Sequence, residues 1–92
     1  MMMDQKIEFL VFLCNRYYRS YGVRINFLTL VDYLNLSGLR SESGYEYSCT
    51  NFRGVGKLIS CVHARLLERN RQYDAESVAL TFTNMRGEYA YS

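Results

Sequence analysis

FRGVGKLISCVHARLLER (residues 52–69) is the stretch whose spacing settles the fold class. At about 100° per residue, Phe52, Val55, Leu58, Ile59, Val62 and Leu66 fall within an arc of roughly 120°. Arg53, Lys57, Ser60, Ala64 and Glu68 lie opposite. A strand would bring alternate residues to one face, so this pattern predicts a helix with one buried and one wet side, firm from residue 55 to 69. Thr50 is the candidate N-cap. Gly54 and Gly56 weaken the first turn by about 1 kcal/mol each relative to Ala, which predicts either a late start or a close backbone approach.

Upstream, Phe27, Leu30, Val31 and Leu34 repeat at helical spacing, which predicts a helix over residues 26–35 with Asn26 as its N-cap and Gly38 closing the segment. Residues 4–19 carry Ile7, Leu10, Val11, Cys14 and Tyr18 in the same register, widened by Phe9, Phe12 and Leu13, so this helix is largely surrounded by protein. Asp4 suits its start, Arg16 and Arg19 its last turn, and Gly22 its end. Residues 37–48 are rich in Ser and Gly without periodicity and read as the most exposed loop, with a short strand around 45–47.

Downstream, Asp74 is a candidate N-cap, with Glu76 in the first turn and Val78, Ala79 and Phe82 following at helical spacing. The run Val78 to Thr83 is also β-prone, and Asn84 to Gly87 would serve as the turn of a hairpin, so residues 78–91 read as either helix or hairpin. The whole is a mainly α, single domain over residues 1–92: three to four helices with a short C-terminal β-strand or hairpin.

Composition bounds the function. Eleven Lys and Arg against nine Asp and Glu leave a net charge of +2, far from the strongly basic balance of an electrostatic nucleic-acid binder, so any basic patch is local. Lys6 and Lys57 stand against nine arginines, a bias toward planar, bidentate contacts. Cys14, Cys49 and Cys61 are odd in number and lack CxxC spacing, which reads as free thiols in a reducing, cytoplasmic setting. With His63 the single histidine, the residues imply no metal and no cofactor. The N-terminal residues lack the basic region of a signal peptide, and no apolar run approaches the roughly 20 residues of a membrane span. A core this small gains from self-association, which makes a homodimer a natural expectation.

Catalysis is not expected. One mid-helix histidine offers no nucleophile with a base and an orienting group, and Glu42 and Glu46 sit in the loop as surface charges. Gly54 to Lys57 has the glycines and lysine of a phosphate-cradling turn but not the glycine spacing or hydroxyl of a P-loop, so it predicts at most phosphate binding by Arg53, Lys57 and the helix amides. Leu34 to Ser37 resembles the turn of a helix-turn-helix, with Asn35 tolerating the turn and Ser37 capping a recognition helix. That resemblance implies nucleic-acid contacts by Arg40, Ser41 and Ser43.

Tyrosine is the unusual feature: nine, with no Trp and no Pro. Its rigid amphipathic ring suits both protein interfaces and base stacking. The residues therefore predict a non-enzymatic binding protein. In one form it is nucleic-acid-binding or regulatory, through Arg16, Arg19, Arg24, Arg40, Arg53 and Lys57. In the other it is a protein-interaction module or small inhibitor using Tyr17, Tyr21, Tyr45 and Tyr47.

Overall fold

The computed structural model of the protein describes residues 3–83. The apolar periodicities become α1 (Met3–Leu13), continued by a π-helical turn (Cys14–Arg19), then α2 (Phe27–Leu36), α3 (Arg53–Glu68) and α4 (Gln72–Thr81). Two short strands, β1 (Ile25–Asn26) and β2 (Phe82–Thr83), pair in parallel with Ile25 opposite Phe82 and Asn26 opposite Thr83. Parallel strands need a long crossover, and here α2, α3 and α4 supply it. The protein is thus mainly helical, as the spacing predicts.

The helices bury the faces that their sequences mark as apolar. Leu30, Val31 and Leu34 of α2 and Ile59, Val62 and Leu66 of α3 are fully enclosed, and they meet Ile7 and Leu10 of α1, Val78 of α4 and Phe82 of β2 in one cluster. Asn26 caps α2 as expected, its Oδ1 accepting the Thr29 N–H at 2.9 Å. Gly38 ends the same helix at φ +79°. Its N–H donates to Asn35 O at 3.1 Å and that of Leu39 to Leu34 O at 3.0 Å, which is a Schellman closure with Leu39 and Leu34 both buried. Asn70 does the same for α3 at φ +59°, donating to Leu67 O while Arg71 N–H reaches Leu66 O at 2.8 Å.

Several local expectations are corrected. Thr50 does not cap α3: Phe52 stands at the cap, and the Asn51 side chain accepts the Arg53 N–H at 3.0 Å instead. Gly54 and Gly56 lie inside the helix, which starts at Arg53 rather than late. Asp74 lies in the first turn of α4, not at its cap; Asp4 likewise lies within the first turn of α1, where its charge suits the dipole as expected, and pairs with Arg69. Phe82 leaves the helix for β2, so the C-terminal strand exists but pairs in parallel with β1; the proposed turn and second arm, residues 84–91, lie outside the described residues.

The helix-turn-helix arrangement does not follow α2. Such a motif needs a turn of about 3–4 residues before its recognition helix. Here residues 37–52 contain no helix and lead directly to α3. Asn35 is inside α2, and its side chain clamps the returning loop: Oδ1 accepts the Tyr47 N–H at 2.9 Å and Nδ2 donates to Tyr47 O at 3.0 Å. With Leu39 and Tyr47 both buried, this loop is anchored at two points rather than freely exposed. Removing the clamp leaves two backbone groups of a buried residue unpaired. Asn35→Ala should therefore lower the unfolding free energy by about 2–3 kcal/mol, measured by urea denaturation.

Candidate functional site

The clamp on Tyr47 builds a cavity. Lys6 lies at core spacing on α1, four residues before Leu10, so the helix carries its stem inward, and the residue is only 3% exposed. Its Nζ stands 5.6 Å from the centroid of the Tyr47 ring. The ring is held by the Asn35 clamp below and by its own hydroxyl, which donates to Arg40 O at 3.4 Å. Facing Lys6 across a space of about 180 Å³ are Gly54, Lys57, Leu58 and Cys61 of α3, and the loop residues Ser41, Glu42 and Ser43 complete the wall with Met3. Both lysines of the chain thus line one cavity.

α3 points its amino end there for a physical reason. The first amides of a helix have no intrahelical acceptor and carry the positive end of the dipole. The Arg53 N–H is taken by Asn51, and Gly54, next in line, is a cavity-wall residue with no side chain to cover its backbone. A Cβ built on Gly54 would sit 3.8 Å from the Tyr47 ring, so Gly54 also keeps the space between helix and ring open.

The cations singled out from the sequence differ in how the fold engages them. Arg19 is committed: its guanidinium pairs with Asp74 at 3.0 Å, donates to the Ser77 hydroxyl at 2.7 Å, and lies 3.9 Å from the Tyr73 ring. Arg40 donates to the backbone oxygens of Asn35 and Leu39 and stands 3.9 Å from Glu46. Arg16, Arg53 and Lys57 are exposed, and their side chains make no ion pair among the described residues. Arg24 is exposed as well, 6.0 Å from the Tyr18 ring.

The tyrosines divide likewise. Tyr21 and Tyr45 are 70% and 74% exposed. Tyr17 is half-buried and stacks on Tyr33 at 5.9 Å between centroids. Tyr47, expected as an exposed anchor, is instead buried as cavity wall. Cys14 is enclosed at the start of the π turn, where burial pushes its thiol up to about 11 against the smaller opposing influence of the Thr81 hydroxyl. Among the described residues no cluster of His, Cys, Asp and Glu could hold a metal, and no helix is long and apolar enough to cross a membrane.

Lys6 and Asn35 are the parts of this site that the sequence reading passed over. A lysine at core spacing in an otherwise apolar helix is a usable signal for the first. Asn35 has none, because its partner lies across a loop.

The chain is a small helical domain with a recess lined by both of its lysines. Comparison with known proteins adds no relative: no protein family, no curated protein and no solved structure matches the chain.

Proposed function

We propose that the protein is a non-enzymatic, regulatory binding protein whose partner is a nucleic acid, met through phosphate contacts at the amino end of α3. The observation that supports this reading is the state of Arg53 and Lys57. Both are exposed, neither side chain is spent on an ion pair among the described residues, and they lie in the first turns of α3, at the positive end of its dipole. Arg16 is a further exposed cation that a flexible partner could reach, whereas Arg19 and Arg40 are held by the fold. A net charge of +2 makes such binding weak and local, resting on few phosphates.

Salt dependence tests it. Binding to single- or double-stranded oligonucleotides should fall steeply between low and moderate salt. Arg53→Ala with Lys57→Ala should reduce the slope of log K against log salt by about 1.5–2. No shift with DNA or RNA at low salt removes the reading. The second reading is a protein partner, favoured by the exposure of Tyr45 (74%) and Leu36 (86%). It would replace the first if a partner were captured after nuclease treatment and lost with Tyr45→Ala.

A further inference from the structure

We propose that the cavity between α1, α3 and the 41–47 loop is a binding site for a small ligand carrying a phosphate monoester, held between Lys6 and Lys57. This goes beyond the nucleic-acid reading and does not depend on it.

The argument starts from what Lys6 lacks. An ammonium taken out of water is costly unless oxygen acceptors replace the lost hydration, and it carries three N–H donors. As a residue Lys6 is 3% exposed, and among the described residues its nitrogen has neither an ion pair nor a hydrogen bond; it is not one of the fully enclosed unpaired atoms, so what little access the side chain keeps is at the ammonium. Its one described contact of this kind is the Tyr47 ring, which meets the charge from one side at 5.6 Å and offers no oxygen acceptor. The remaining donors belong to a side chain that forms part of the cavity wall.

The rest of the lining has the same polarity. Lys57 adds a second cation, Gly54 brings the start of α3, and Ser41 and Ser43 bring hydroxyls that can donate. Among the described residues Glu42 is the one acid in the wall, so they bring two positive charges against one negative. An uncharged ligand would leave that excess unanswered. A dianion would meet both lysines at once.

Charge favours phosphate over carboxylate: a phosphate monoester carries up to two negative charges and can answer both lysine point charges at once, whereas a carboxylate carries one. The chain has nine arginines, yet the cations of this wall are its two lysines. Size selects a small ligand. The volume of about 180 Å³ holds several waters but falls below the roughly 300–1,000 Å³ of sites that enclose drug-sized molecules. The site is also braced before any ligand arrives, since Asn35 and Arg40 O fix Tyr47, and such preorganisation lowers the ordering cost of binding.

The test is a titration of the full chain with inorganic phosphate and with glycerol 3-phosphate, followed by the backbone amide signal of Gly54. Sodium chloride at matched ionic strength and sodium acetate serve as comparison arms. Both phosphates should shift the Gly54 signal saturably and chloride should not. Lys57→Met, on the exposed side and harmless to the fold, should weaken binding by about tenfold, and Lys6→Met by at least as much. Glu42→Gln should strengthen it. Arg53→Ala should leave phosphate affinity within about twofold while weakening oligonucleotide binding, so failure of one proposal is distinguishable from failure of the other. The inference is overturned if phosphate acts no differently from chloride, if acetate saturates the signal equally well, or if Lys57→Met binds phosphate as the unaltered chain does.

Discussion

Phe82→Ala should lower the unfolding free energy by about 3–5 kcal/mol, the usual cost of removing a wholly enclosed aromatic ring. Phe82 has no exposed surface and is among the largest fully buried side chains. It also sits opposite Ile25 in the strand pair, so its ring joins the crossover to the strand that precedes α2. A chain of 92 residues has a total stability on the order of 5–14 kcal/mol, so this one truncation removes a large share of it. The melting temperature should drop by more than about 12 °C. A loss below about 1 kcal/mol in urea would show that the strand pair and its ring are peripheral to the core.

Asp74→Ala should cost about 2–3 kcal/mol, more than an ordinary surface ion pair. Its carboxylate accepts from Arg19 at 3.0 Å and from Arg71 at 2.9 Å, with only 20% of the side chain exposed. Exposed pairs typically contribute under about 1 kcal/mol, but removing one carboxylate from between two largely covered guanidinium groups leaves both without their shared acceptor. Arg71 retains Glu8, whose carboxylate is the main cause of its raised pKa, so the larger injury falls on Arg19. Asp74→Asn keeps an acceptor oxygen and should recover part of the loss. If alanine and asparagine were both silent in chemical denaturation, the network would be decorative.

These two residues show how unevenly the sequence discloses the fold. α2 and α3 are legible because their burial repeats with the helical period, and every apolar position read as core from Phe27 to Leu34 and from Val55 to Leu66 is buried. Asn26 and Gly38 are legible because caps act within a few residues. Asp74 looks like a cap for the same local reason, but besides the nearby Arg71 it is paired with Arg19, distant in sequence, and a local rule has no access to that. The candidate site is less legible still. Lys57 and Gly54 belong to a recognisable helix start, while Lys6, Tyr47 and Asn35 become a site only when α1, the loop and α2 meet. Periodicity predicts what is buried, and it is silent on which polar groups are buried together.

The π-helical turn accounts for the inward course of Arg19, which helical spacing alone places in the last turn of the first helix. Its i→i+5 bonding stacks residues five apart, and Cys14 and Arg19 are five apart. A regular helix would carry position 19 well round from position 14. The widened turn instead brings the guanidinium over the buried thiol's side, toward Asp74 and Ser77 on α4. One surplus residue in a helix thereby converts a solvent-facing charge into an internal fastener. A descendant chain shortened by a single residue between 14 and 19 would wind normally and expel its arginine, leaving Asp74 to Arg71 alone.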